Sequence, residues 1–188
     1  MTKMYKFTTT DIVLNKEDSH IRHKEIEQHF PYGQLTRYRC PLEGSIYEET
    51  HNEVIVTCSQ FPVTSIKCSM SVIPMYDRGT KLHFKTKLCA SEEIQGHDVA
   101  ITALRDQIKW FQKIACSNGF SASLEDITQI GYIHGWKNEK RTHYAVDFKG
   151  QLEVINADLF NMTLGTKERN YYGIGSGKHA GLGLLIVN

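Results

Sequence analysis

The chain has 188 residues, with 22 Lys and Arg against 21 Asp and Glu for a formal net charge of +1, and is 40% hydrophobic and 23% charged. A chain of this length and composition buries a real core, as one domain or two small ones, which excludes disordered and collagen-like classes. Near-neutrality means that any nucleic-acid surface has to come from local clustering of charge.

The opening MTKMYKFTTTDIVL alternates polar and apolar residues and does not read as a signal peptide. No stretch approaches the roughly 18 uninterrupted apolar residues of a membrane span. A cytoplasmic protein with no membrane role is therefore expected. Cys40, Cys58, Cys68, Cys89 and Cys116 stand singly, without a C-x-x-C pair, and read as reduced, half-buried core thiols.

In chain order, Tyr5 to Leu14 reads as a strand, and Ser19 to Phe30 as a helix capped by Asp18 or Ser19 and stopped by Pro31. Leu35 to Leu42 and Val54 to Ser59 read as strands. Pro62 to Pro74 carries mixed signals that suggest a short or degenerate helix, and Lys81 to Cys89 alternates as a strand. The next helix is predicted over Asp98 to Ser117, with Ile101, Leu104, Ile108, Phe111 and Ala115 at helical spacing and Asn118-Gly119 as its end.

Leu124 to Ile133 and Thr142 to Phe148 follow as strands around a basic connector, Lys149-Gly150 as a turn, and Leu152 to Ile155 as a returning strand. A short helix, Ala157 to Leu164, is capped by Asn156 and ended by Gly165, and Leu182 to Val187 closes the chain as a strand. If the strand from Lys81 opens the second half, both halves read β-α-β-β-α-β. The expected fold class is α+β, two tandem ferredoxin-like units over residues 1–90 and 91–188.

Four features can carry chemistry. Alternation in Lys81 to Leu88 sets Lys81, His83, Lys85 and Lys87 on one strand face, a cationic row suited to an anion passing over it, or a solvated outer face. Lys137, Lys140 and Arg141 cluster in the hairpin connector, where they suit a duplex backbone or merely solubilise the tip. Gly173, Gly175, Gly177, Gly181 and Gly183 surround Lys178 in a loop that offers backbone N–H groups and a cation to phosphate, or simply allows close packing. It matches neither the P-loop, because Tyr172 and His179 stand where Gly and Ser or Thr are needed, nor the dinucleotide fingerprint, because Lys178 replaces its last glycine. The first helix presents His20 and His23 one turn apart, suited to acid and base work, although His23 is also spaced to border a core. No ligand set for zinc is evident, and no cofactor is expected.

The ending GIGSGKHAGLGLL, Gly173 to Leu185, resembles the glycine-rich C-terminal signature of the CasE family of CRISPR precursor-RNA endonucleases. Ser59-Gln60-Phe61-Pro62-Val63, Gln107-Ile108-Lys109-Trp110-Phe111, Phe148 to Val154 and a helical histidine eight residues before Pro31 also resemble it. The resemblance implies a tandem ferredoxin-like, RAMP-type protein that binds the repeat hairpin of precursor CRISPR RNA. It implies cleavage at the 3′ base of the stem without a metal, by 2′-hydroxyl attack that leaves a 2′,3′-cyclic phosphate and a 5′-hydroxyl.

By position, His23 would be the catalytic histidine, with Lys24 and Lys178 supplying charge to the phosphorane. His20 stands where the family often has tyrosine. Lys137, Lys140 and Arg141 would enter the stem's groove, and Lys85 and Lys87 would track the phosphate backbone. The resemblance further implies retention of the cut hairpin within a Cascade-type surveillance complex. Two other readings remain open at this point, a cleavage-deficient hairpin-binding subunit and a small-molecule-binding ferredoxin-like module.

Overall fold

The computed structural model describes residues 3–8, 14, 18–30, 37–39, 53–58, 62, 66–136, 140–166 and 173–188. The first sheet holds β1 (Lys3–Thr8), β2 (Arg37–Arg39), β3 (Glu53–Cys58) and β4 (Ser69–Val72), with α1 (Ser19–Glu27) between β1 and β2. The second holds β5 (Lys81–Cys89), β8 (Phe120–Trp136), β9 (Lys140–Val154) and β10 (Leu185–Val187). Between β5 and β8 come the hairpin β6 (Ser91–Ile94) and β7 (His97–Ala100), then α2 (Leu104–Ser117). Between β9 and β10 come α3 (Ala157–Thr163) and a 3₁₀ turn, Lys178–Ala180.

The spatial order is β2-β3-β1-β4 in one sheet and β10-β5-β9-β8 in the other, with every neighbouring pair antiparallel. Counted within its own sheet, each reads fourth-first-third-second from one edge. This is the ferredoxin-like order, repeated in tandem as expected. The strand at 81–89, which the sequence allows in either half, opens the second sheet.

Burial makes the second sheet the larger core. Phe84, Phe148, Val146, Leu152 and Val154 face Phe111 and Ala115 of α2 and Phe160 of α3. Phe111 stacks between Phe84 at 5.6 Å and Phe148 at 4.5 Å, ring centroid to ring centroid. In the first unit, Tyr5, Phe7, Tyr38, Val54 and Val56 pack on Ile26 of α1 and on Phe30. The opposite face of the first sheet meets the second through Ile55 and Met4 against Leu184 and Ile186. This contact brings the two sheets together.

Several sequence expectations are corrected. The span from Pro62 to Pro74 contains β4 where a degenerate helix was expected, and residues 63–65 lie outside the described ones. The first strand opens at Lys3, ahead of the expected Tyr5, and is described to Thr8; residues 9–13 of the expected span lie outside the described ones, and Leu14 is buried. Asp98 to Ala100 is β7, not the start of α2, because Gln95-Gly96 takes positive φ at both positions (53° and 80°) and turns a two-residue hairpin.

The buried face of α2 is Gln107, Phe111 and Ala115, while Leu104 and Ile108 are exposed. Gln107 can be buried because its Nε2 donates to the Ile101 carbonyl at 2.8 Å. Cys89 is buried and Cys68 half-buried, as expected of core thiols, but Cys116 is exposed.

Lys149-Gly150 makes no turn. β9 runs straight through it, and β8 carries a register shift between Leu124 and Asp126 directly opposite. A Cβ on Gly150 would lie 2.1 Å from the Ser123 carbonyl oxygen, so glycine is required there by close backbone approach at a bulge. Gly150→Ala should therefore cost about 1–3 kcal/mol of stability, as overpacking does. Chemical denaturation at neutral pH measures this, and a midpoint equal to wild type would contradict the packing described.

Candidate functional site

α1 is fixed at its start by Asp18, whose carboxylate accepts the backbone N–H groups of His20 (2.8 Å) and Ile21 (3.2 Å). Its buried stripe is Ser19, Arg22, His23 and Ile26, spaced i, i+3, i+4, i+7. Only Ile26 of these is a hydrophobe, so the helix turns a polar face inward. Ile26 enters the first core, and the first turn meets β8. At Gly135 of β8, a Cβ would sit 2.5 Å from Ser19 Oγ and 3.4 Å from the His20 nitrogen. Glycine is what lets the helix lie against the strand.

The other wall is the glycine-rich segment. Gly177 and Gly181 take left-handed φ (81° and 76°) on either side of the 3₁₀ turn, and a Cβ on Gly177 would strike Leu182 at 2.7 Å. Ala180 and Leu182 are buried against Cys89, Ile133 and Ala145 of the second sheet. Gly183 N–H donates to the Lys87 carbonyl at 2.8 Å. Gly177 thus serves close packing, whereas Gly175 is exposed with open space around it, and the packed turn presents Lys178 and His179 to α1.

His23 lies where these walls meet. Its ring is 4.5 Å from that of His179, nearly perpendicular at 86°, and 5.7 Å from that of Tyr38 on β2. Tyr38 Oη donates to the His179 carbonyl at 2.9 Å, tying the turn to the first sheet. His23 Nε2 stands 3.8 Å from Glu27 Oε2, and its Nδ1 is buried with no hydrogen-bond partner among the described residues.

Burial at 4% exposure, then the positive fields of His179, Lys178 and His20, pull the His23 pKa from 6.5 down to about 3. The Glu27 carboxylate opposes that pull and does not overcome it. At neutral pH the contact is therefore a neutral ring beside a carboxylate, not an ion pair.

The sequence-derived residues divide in space. His20, half-exposed, and Lys178 join His23 at the site; Lys24 is on the exposed side of α1. His179, Tyr38 and Glu27 join it without having been singled out from sequence. Only for His179 was there a local signal, a histidine beside the loop lysine.

The row on β5 is not one open cationic face. Lys81 and His83 are exposed, Lys85 is half-buried, and Lys87 is buried at 4% directly opposite Asp147, itself 7% exposed. The closely packed loop lies near the Lys87 end. Lys85 lines a separate cleft of about 480 Å³ between the sheets, together with Lys6, Tyr76 and Ile186.

β8 and β9 extend as a long two-stranded arm that ends at Trp136 and Lys140. β9 pairs with β5 only from Ala145 onward, whereas its pairing with β8 continues to Trp136 and Lys140. Lys140 and Arg141 sit at the register positions opposite Trp136 and Gly135, and Lys137 lies outside the described residues. Among the described residues, no group of three or more His, Cys, Asp and Glu could hold a metal ion. No helix among them is long and apolar enough to cross a membrane.

Because its ring is held neutral by the fold, His23 gives a pH signature. The unfolded chain binds a proton at this residue below about pH 6.5 and the folded chain does not. The stability that His23 contributes is present above pH 6.5 and is lost as pH falls toward 3. Imidazole NMR should show a neutral His23 ring at about pH 5, where an ordinary histidine is protonated. A midpoint near 6.5 would contradict the buried geometry.

A family model described as "CRISPR associated protein" matches residues 13–188. No curated protein sequence matches the chain. Among solved structures, the chain is similar to Thermus thermophilus Cse3 bound to an RNA representing a pre-cleavage complex, with TM-score 0.74, 18% identity, and coverage of 100% of this chain and 98% of that one. It is also similar to the CRISPR-associated protein Cas6e from Escherichia coli K-12 (TM-score 0.67, 19% identity, 100% and 98% covered). A chain of a CRISPR RNA-guided surveillance complex matches with TM-score 0.64, 16% identity and 98% of each chain covered. At such identities the likeness establishes the fold and nothing finer.

Proposed function

Since the chain belongs to the CRISPR associated protein family, we propose that it is a metal-independent endoribonuclease that processes precursor CRISPR RNA in the cytoplasm. It cuts at the 3′ base of the repeat hairpin and keeps the hairpin as a subunit of a surveillance complex. The observation that carries this reading is His23, a neutral imidazole on α1 facing the lysine and histidine of a rigid glycine-flanked turn.

Cleavage of RNA by its own 2′-hydroxyl needs three things. The 2′-oxygen must lose a proton and sit in line with the P–O5′ bond, the leaving 5′-oxygen must gain a proton, and the phosphorane must be stabilised by positive charge. A neutral His23 takes the first proton. Lys178 and His20, which act on the His23 ring, stand beside it to supply charge, and the role for Lys24 calls for the phosphate to reach the exposed side of α1.

For recognition, Lys140 and Arg141 at the end of the two-stranded arm of β8 and β9, together with Lys137, enter the groove near the stem end, which in A-form RNA is more accessible than the groove at mid-helix. Lys85 binds backbone phosphate from the cleft that it shares with Lys6. The role for Lys87 calls for phosphate to approach the edge of the packed loop, because the residue is buried. Similar structures support hairpin binding and assembly, one being Cse3 bound to RNA and another a chain of a surveillance complex.

That same burial favours a second reading, in which the chain holds the hairpin without cutting it, because a ring 4% exposed offers little surface to substrate. His23→Ala separates the two. Under the nuclease reading, single-turnover cleavage falls by about 10²-fold or more while hairpin affinity changes by less than about threefold. Under the binding reading there is no cleavage for the substitution to remove.

A further inference from the structure

We propose that His179 is the second proton-transfer group of this site, protonating the 5′-oxygen as it leaves while His23 deprotonates the 2′-hydroxyl. The inference rests on the nuclease reading above and deepens it.

In-line displacement puts the entering and leaving oxygens on opposite sides of phosphorus, so one neutral imidazole cannot serve both at once. The acid has to be a separate group that is close, exposed and rigidly held. Of the side chains around His23, His179 meets these conditions. Its ring is 4.5 Å from that of His23 and its side chain is exposed. Its backbone is held by Tyr38 Oη at 2.9 Å, and the Ala180 N–H closes the turn on the Gly177 carbonyl at 2.8 Å.

The groups facing the pair come from each packed element. α1 contributes His20 and Glu27, with Arg22 buried on the same helix, β2 contributes Tyr38, and the turn contributes Lys178. β8 contributes the backbone of Gly135 and apolar Ile133, with no charge among these contacts.

The pair divides its labour electrostatically. A proton on His179 disfavours one on the buried His23 ring, and the role assigned to His179 calls for the form in which His23 is neutral and His179 carries the proton. This is the state that begins the reaction. The 2′-oxygen–phosphorus bond forms as the 2′-proton passes to His23, and the P–O5′ bond breaks as the His179 proton passes to O5′. The products are a 2′,3′-cyclic phosphate and a 5′-hydroxyl, with His23 protonated and His179 neutral. Exchange of one proton through solvent resets the pair, with no other reactant.

The test measures single-turnover cleavage of a hairpin RNA by the full-length protein, wild type, His179→Ala, His179→Gln and His23→Ala, from about pH 5 to pH 9. Each variant is also tried on a hairpin whose scissile 5′-oxygen is replaced by sulfur, a leaving group that departs without a proton. His179→Ala and His179→Gln should lower cleavage of the oxygen substrate by about 10²-fold, keep hairpin affinity within about threefold, and lose the high-pH limb of the rate profile. They should cut the sulfur substrate at nearly the wild-type rate, whereas His23→Ala should not. The proposal is overturned if either His179 variant cuts the oxygen substrate like wild type, or if sulfur restores nothing. If wild type cuts neither hairpin, the nuclease reading itself fails and the proposal falls with it.

Discussion

The docking of α1 against β8 and the glycine-flanked turn is the contact on which the rest of the site depends. The two ferredoxin-like units each bury their own apolar face, and a helix such as α1 would ordinarily close its unit and show its polar residues to water. Here the inward stripe is Ser19, Arg22, His23 and Ile26, and three of the four are polar. Burying them costs free energy unless the opposing surface is shaped for them. Gly135 removes the side chain that would hold the helix off, and the left-handed glycines at 177 and 181 fold the loop tightly enough to bring Lys178 and His179 alongside.

This junction explains why a near-neutral protein can present a site for a polyanion. Its charge is gathered where elements from two sheets converge, instead of being spread over a basic surface. A low-dielectric contact region also strengthens every interaction between those charges. His23 registers the result, since with no phosphate bound its burial and the fields of His179, Lys178 and His20 keep the ring neutral at neutral pH. The same exclusion suits chemistry on a phosphate, because a bound anion raises the affinity of the His23 ring for a proton.

Elements set by short-range rules were legible in the sequence. Asp18 capping α1, Asn156 capping α3 and Gly119 ending α2 rest on contacts within a few residues, and the strand from Lys81 to Cys89 shows in its own alternation although its partners are distant. Features that answer to distant partners were not legible. Gly150 resembles a turn glycine locally but answers to a bulge in the facing strand. Lys87 alternates like a surface residue yet is buried opposite Asp147. Leu104 and Ile108 fit a helical stripe, but α2 rotates to bury Gln107 because a carbonyl at Ile101 receives it. Within the site, His23 could be picked out because its position resembles a family pattern. His179 could not, because nothing near it in the chain says that it lies against α1.

The central claim is that this junction cleaves RNA through its own side chains and the substrate's 2′-hydroxyl. The most direct measurement is to incubate the purified protein with a labelled cognate repeat hairpin in excess chelator and to identify the ends of the product. The account predicts one cut at the 3′ base of the stem, leaving a 2′,3′-cyclic phosphate and a 5′-hydroxyl, unchanged by the chelator. Cleavage that disappears with the chelator, or that leaves a 5′-phosphate, would contradict it.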